Sequence, residues 1–152
     1  MKFILPFCVV SLIATAVIAN PLQEGKVDEK RQRLRAAVQK ICPMTGHELP
    51  DESGLKEWVD PKSKERLFVC CEECVEGKPD PEYLKTIMER QAKAQAQCLV
   101  MENEVTSQSK SQIIGGYRVF VCCPPCFKKV DKSQEKYFAK LDEMHEKFLR
   151  SK

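Results

Sequence analysis

The sequence predicts an α+β protein built from two copies of one small unit, in which a cysteine-bearing turn, a β-hairpin and a helix follow one another. A cysteine-rich run, CCEEC at residues 70–74, returns as CCPPC at residues 122–126. Each run directly follows aromatic and β-branched residues, which are typical of strands. One further cysteine, Cys42 or Cys98, precedes each hairpin and follows a stretch of helical character. The recurrence of this order predicts an internal duplication.

Residues 1–19 are predicted to be a secretory signal peptide. A basic start at Lys2 precedes an apolar run that ends in small or aliphatic residues before Asn20, which is the pattern of an export signal. Cleavage near Ala19 removes Cys8, so eight of the 9 cysteines remain in the exported chain. We therefore expect a periplasmic or extracellular protein with no stable membrane span after cleavage.

The cysteines also divide the rest of the chain. Residues 20–41 are predicted to be a leader and an N-terminal helix, residues 42–97 the first cysteine-rich repeat with a linking helix, and residues 98–152 the second repeat. Units of about 50 residues bury too little apolar surface to be stable alone and usually need a metal ion or disulfides.

Helical periodicity marks three stretches. Residues 26–41 place apolar side chains at helical spacing among charged ones, which predicts an amphipathic helix, and we interpret its basic run at residues 30–35 as a solvated face. A second helix is predicted over residues 82–97, with Asp80 as its N-cap. A third follows the second cysteine run, with an apolar stripe that ends at Leu149.

A β-hairpin is predicted before each cysteine run. Residues 57–60 and 66–69 flank a turn that contains proline, and residues 113–114 and 117–121 flank a Gly-Gly turn. The latter is a strong hairpin signal. Because the second strand of each hairpin leads straight into a double cysteine, each double cysteine is expected at a corner between a strand and a helix.

The chemistry of these cysteines favours a soft metal ion, one in each repeat. Four thiolates suit tetrahedral zinc, and two to four suit Cu(I). We expect the helix end at each corner to stabilise the thiolate form. Neighbouring residues in a strand point to opposite faces, so Cys71 and Cys123 are either ligands in place of a neighbour or spare thiols. The candidate metal ligands are Cys42, Cys70, Cys71, Cys74, Cys98, Cys122, Cys123 and Cys126.

The order of these features resembles the YHS and TRASH-like heavy-metal-binding modules, here in tandem over residues 42–149. The shared pattern is Cys-Pro-x-x-Gly, a hairpin, an aromatic residue shortly before C-x-x-x-C, and a helix with an aromatic pair. The resemblance implies a treble-clef-like unit that binds zinc, copper or another soft metal. The second copy departs from the pattern, because its turn lacks the proline and the glycine. The ligands implied are Cys42, Cys70 and Cys74 in the first copy, and Cys98, Cys122 and Cys126 in the second.

Two other hypotheses for the thiols stay open. Exported thiols normally meet an oxidising compartment, so a disulfide such as Cys42 to Cys74 would give a stapled, non-enzymatic interaction module. The C-x-x-C motifs, above all CPPC at residues 123–126, would suit a thiol-disulfide redox protein, although the βαβ pattern of a thioredoxin-like domain does not surround them. No Ser/His/Asp set or phosphate loop is visible, and we expect no enzyme.

Other residues have weaker claims on function. We expect His47 to be solvated, His145 to be packed on the C-terminal helix, and Met44 and Met101 to fill space. The net charge of +3, which falls to +2 without Lys2, is too weak and too evenly spread for a nucleic-acid-binding stripe. The expected partners are a metal ion and a protein that exchanges it.

Overall fold

The computed structural model describes residues 21–50 and 54–151, and it confirms the predicted α+β class. The predicted signal peptide, including Cys8, lies outside the described residues. The elements are the helices α1 (Pro21–Gln39), α2 (Pro81–Gln95), α3 (Pro125–Lys132) and α4 (Gln134–Arg150), the strands β1 (Lys56–Val59), β2 (Arg66–Val69), β3 (Lys110–Ile114) and β4 (Tyr117–Val121), and a 3-10 helix at Glu73–Glu76.

Two separate antiparallel hairpins, β1 with β2 and β3 with β4, stand where the sequence predicts them. The turn of the second hairpin has φ values of +56° at Gly115 and +85° at Gly116, which glycine adopts without the steric cost of a Cβ atom. Strand β3 begins at Lys110 rather than at Ile113. Its first residues are polar and lie at the surface, so they carry no strong strand signal.

Helix α2 begins as predicted. The Asp80 carboxylate accepts a hydrogen bond from the Glu82 N–H at 2.7 Å, and Pro81 occupies the first turn. The single C-terminal helix of the prediction is instead two helices, because Ser133 leaves the helical conformation with φ −137° and ψ 51°. Among the described residues, no helix is both long and apolar enough to cross a membrane.

Helices α1 and α2 end in the same way. Each is followed by a non-glycine residue of positive φ, Lys40 at +70° and Ala96 at +54°. The N–H of each donates to the carbonyl four residues earlier at 2.8 Å, and the positive φ then ends the right-handed helix. The chain is thereby turned out of the helix directly ahead of Cys42 and Cys98.

The larger hydrophobic core lies in the second half of the chain. There β3 and β4 pack against α2, α3 and α4, and Val119, Phe120 and Val121 are fully buried. The corresponding cluster of the first half contains three buried residues, Cys42, Val69 and Cys74. Leu67, Phe68 and Ile87 of the first half are also buried, so the first unit has hydrophobic support outside this smaller cluster.

Helix α1 packs against α2 and α4 through a buried polar layer. Arg31 and Arg35 are only 8% and 7% exposed. Arg31 donates to the Asp142 carboxylate at 2.9 Å, and the Arg35 guanidinium carbon lies 3.7 Å from the centroid of the Tyr117 ring. The interpretation of this run as a solvated face is therefore wrong for these two residues, because a guanidinium can stack on an aromatic ring as an apolar residue would.

Polar contacts also join the two hairpins. The Arg66 N–H donates to the Gly116 carbonyl at 2.7 Å, and Arg118 on β4 forms an ion pair with Glu65, its Nε lying 3.0 Å from the carboxylate. Strand β2 thus lies against the turn of the second hairpin, and the two units pack on each other.

Candidate metal centres

A tight turn presents the first cysteine of the first unit. The Cys42 N–H donates to the His47 carbonyl at 2.8 Å, and the Gly46 N–H donates to the Cys42 carbonyl at 2.9 Å. Gly46 has φ +70°, and a Cβ atom there would lie 2.6 Å from the Tyr83 ring. Both the conformation and the space therefore require glycine at this point of the CPMTG run.

The second turn has the same hydrogen bonds without proline or glycine. The Cys98 N–H donates to the Asn103 carbonyl at 2.7 Å, and the Glu102 N–H donates to the Cys98 carbonyl at 2.9 Å. Glu102 has φ +59°, a conformation that costs an L-residue about 1 kcal/mol. Its carboxylate binds the Lys140 ammonium at 2.7 Å, which also donates to the Leu99 carbonyl at 3.2 Å. These contacts to α4 hold the turn in place.

A buried glutamine ties the first turn to its strand. The Gln39 Nε2 donates to the carbonyls of Phe68 at 2.7 Å and Ile41 at 2.8 Å, and its Oε1 accepts from the Phe68 N–H at 2.9 Å. The side-chain amide thus donates to and accepts from one strand residue, as a peptide group of a neighbouring strand would. It holds the residue before Cys42 and the strand that leads into Cys70.

Gln95 makes the equivalent bonds in the second unit. Its Nε2 donates to the carbonyls of Phe120 at 2.6 Å and Gln97 at 3.0 Å, and its Oε1 accepts from the Phe120 N–H at 3.0 Å. The sequence reasoning missed both glutamines. A signal was present, because Gln39 and Gln95 each stand three positions before the cysteine of the turn.

Turn and corner bring three thiols together in each half. The sulfurs of each set lie within 4.8 Å of one another, and in each set the first and last cysteines are buried while the middle one is partly exposed. A tetrahedral zinc ion with bonds of about 2.3 Å separates its sulfurs by about 3.8 Å, so one ion fits each set. The two sets, called triads below, are Cys42, Cys70 and Cys74, and Cys98, Cys122 and Cys126.

The remaining cysteine of each corner lies beside its triad. The Sγ of Cys71 is 2.9 Å from that of Cys74 and 3.9 Å from that of Cys70. From Cys123, the equivalent distances in the second corner are 3.3 Å and 3.9 Å. Neither residue belongs to the set that includes the thiol of the turn. The structure thus gathers six of the eight predicted ligands into two triads and places the other two next to the last thiol of each.

Backbone hydrogen bonds favour ionisation of the turn thiols. Burial raises the pKa of Cys42, but the backbone N–H donors of Cys70, Met44 and Thr45, with the Thr45 hydroxyl, outweigh burial and lower the pKa to about 7. Burial likewise raises the pKa of Cys98, but backbone N–H donors outweigh burial and lower the pKa to about 7. Each triad therefore contains one thiol that is partly thiolate near neutral pH.

The last corner thiols are shifted in the opposite direction. The Cys71 thiol and then burial raise the pKa of Cys74 well above its usual range, and burial followed by the Cys123 thiol raises the pKa of Cys126 to about 12. The predicted stabilisation of thiolate by a helix end is therefore wrong for these two residues. The first corner leads only into a 3-10 helix, and in both corners burial and adjacent thiols dominate. A cation among the three sulfurs would favour the thiolate form and so lower the pKa of these thiols.

The two histidines behave as predicted. His47 is exposed. His145 is 5% exposed, and burial lowers its pKa to about 3, with the Arg35 charge adding to the effect. Neither histidine is part of a triad.

The fold and the site define a cysteine-rich α+β protein with two candidate metal-binding triads. No protein-family model, curated protein or solved structure matches the chain. The resemblance to YHS and TRASH-like modules accordingly stays a prediction.

Proposed function

We propose that this protein binds one soft metal ion, zinc or copper(I), in each half of the chain. One observation carries the proposal: the same three cysteine positions converge to within 4.8 Å in both halves. Thiolates select soft ions over magnesium or calcium, which prefer oxygen ligands. The pattern that resembles YHS and TRASH-like modules supports the same assignment.

Metal binding would have a structural consequence that differs between the halves. Within the described part of the chain, the first cluster has three buried members against thirteen in the second, so an ion that joins the turn to the corner would supply a larger share of the cohesion of the first unit than of the second. Metal binding that occurs only in the folded state adds directly to folding stability. In the second half the larger hydrophobic core already holds these elements together.

The same sites would also permit exchange of the ion. Cys70 and Cys122 are partly exposed, whereas the other two thiols of each triad are buried. A metal donor or acceptor therefore has access to one ligand of each ion. We propose a role in metal sequestration or transfer outside the cytoplasm, after cleavage of the segment 1–19, and no enzymatic activity.

Metal analysis of the whole protein tests this function. The protein is purified anaerobically and without added reductant from the compartment to which it is exported. Its zinc and copper are measured by mass spectrometry, and its thiols are counted after denaturation with and without reductant. Two ions per chain are expected. Cys42→Ser and Cys98→Ser form a matched pair, and each should lose one ion and keep the other.

The opposite result would be a metal-free protein without free thiols. It would favour the disulfide-stapled interaction module and end the metal hypothesis. Retention of both ions by Cys42→Ser would show that the first triad is assigned wrongly.

A further inference from the structure

Cys71 and Cys123 are the thiols that the proposed metal sites leave over. A fourth thiolate of a tetrahedral zinc site must lie about 3.8 Å from each of the other three sulfurs. Cys71 meets this condition with Cys70, at 3.9 Å, but it lies only 2.9 Å from Cys74, and it is not in the set that includes Cys42. Its position suits a bond to Cys74 better than a shared ion.

The same arrangement occurs twice. In the second corner Cys123 lies 3.3 Å from Cys126, although prolines replace the two glutamates that separate the first pair. A disulfide bond needs about 2.05 Å between sulfurs, so a movement of about 1 Å closes either pair. In each pair the earlier thiol is partly exposed and the later one is buried.

We propose that Cys71 with Cys74, and Cys123 with Cys126, are two dithiols that exchange with small disulfide compounds, and that this exchange discharges the bound metal ion. The inference rests on the proposed function, because Cys74 and Cys126 are each a member of a metal triad. Oxidation removes one of three thiolates from each ion, and reduction of the pair restores it.

The exchange takes two steps. The Cys71 sulfur, after losing its proton, attacks one sulfur of a disulfide RS–SR; a mixed disulfide forms, and RS⁻ leaves and takes up that proton. Cys74, whose thiolate would otherwise bind the ion, then attacks the Cys71 sulfur of the mixed disulfide and expels the second RS⁻. The protein gains one disulfide and loses two electrons, the small disulfide becomes two thiols, and the second RS⁻ is protonated by water.

Accessibility decides which thiol starts the exchange. Cys74 and Cys126 are 5% and 2% exposed, so a disulfide compound in solution cannot reach them first. Cys71 and Cys123 are partly exposed. The partly exposed thiol therefore attacks the incoming compound, and the buried ligand resolves the mixed disulfide.

The test uses zinc-loaded whole protein and oxidised glutathione as the probe. Released zinc is followed with a chromogenic chelator, and disulfides are mapped by mass spectrometry of the intact and digested chain. The wild type should release both ions and form one disulfide in each corner. The double variant Cys71→Ser/Cys123→Ser should bind two ions as the wild type does and keep both, and the single variant Cys71→Ser should release one.

Three results would overturn the proposal. Release of zinc from the double variant at the wild-type rate would show that other thiols suffice. Loss of zinc affinity in a folded double variant before any oxidant is added would make Cys71 and Cys123 metal ligands. Retention of both ions by the wild type in oxidised glutathione would show that the exchange does not occur.

Two controls keep these results interpretable. Circular dichroism checks that the serine variant folds, and Cys71→Ala/Cys123→Ala replaces it where it does not. Failure of the fully reduced wild type to bind either zinc or copper(I) would contradict the proposed function, whereas zinc binding without release contradicts only the exchange.

Discussion

Replacing Gln39 with leucine tests the main structural feature of the first candidate metal site. The change removes the amide that bonds both the N–H and the carbonyl of Phe68 and the carbonyl of Ile41. Gln39 is 2% exposed and Phe68 is 3% exposed. Water therefore cannot easily replace the lost partners of Phe68, whereas Ile41 is partly exposed and its carbonyl can be hydrated.

The expected loss of stability follows from the number of buried polar groups that are left without a hydrogen-bond partner. Each buried polar group left without a partner costs about 1 to 3 kcal/mol, so the two groups of Phe68 predict that Gln39→Leu lowers the free energy of unfolding by about 3 kcal/mol. A loss of this size is a large share of the stability of a small domain. Because Gln39 also holds the turn of Cys42 to strand β2, the variant should bind metal more weakly at the first triad than at the second.

Urea unfolding followed through Trp58 and a count of bound zinc measure both effects. Gln95→Leu is the matched variant for the second unit, and it should weaken the second site instead of the first. Gln112→Leu on the exposed face of β3 is the surface control, expected to change stability by less than about 0.5 kcal/mol. A loss below about 1 kcal/mol for Gln39→Leu, with an unchanged denaturant slope, would refute this account of the glutamine.

Three further changes give expected outcomes that the same urea assay can check. Burial lowers the pKa of His145 to about 3, so between about pH 6.5 and pH 3 the unfolded state binds one more proton, and acidification destabilises the fold by about 1.4 kcal/mol per pH unit. The variant His145→Gln should flatten this pH dependence and the exposed control His47→Gln should not; equal slopes in all three proteins would contradict the assignment. Gly46→Ala should cost about 2 kcal/mol, because φ is +70° and the Tyr83 ring occupies the space of the Cβ atom; unchanged stability would mean that the turn adapts freely. Asp80→Ala should cost about 1 kcal/mol through loss of the N-cap bond, and Asp80→Ser should recover most of it if the cap is the cause.

Local chemistry explains the features that the sequence predicted well. Three features act through neighbours a few residues away: the Gly-Gly turn, the β-branched runs and the Asp-Pro start of α2. They can therefore be interpreted without knowledge of the rest of the chain. The glycine of the first turn is likewise a local signal, because glycine adopts a positive φ. The second turn has no such signal, because Glu102 adopts a positive φ there and its carboxylate is held by Lys140 on α4, which is distant in sequence.

The basic run of α1 shows the limit of a pattern based on residue type. Periodicity counts arginine as polar, yet Arg35 stacks on Tyr117 and is buried. The burial of Arg35 is stabilised by Tyr117 on β4 and Asp142 on α4. Both partners are distant from Arg35 in the sequence. The roles of Gln39 and Gln95 were missed for the same reason, since their partners are strand residues that only folding brings near.

The sequence by itself determined that eight cysteines, two hairpins and their repeated order suit a soft metal ion in each half. The family resemblance already implied the two sets of three thiols, and only the tertiary structure decided where Cys71 and Cys123 lie relative to them. It joins Cys42 to Cys70 and Cys74 across the hairpin, as it joins the equivalent three in the second half, and it leaves Cys71 against Cys74. Spacing along a chain limits which sulfurs can meet, but the direction in which each side chain leaves its turn or corner decides which of them do.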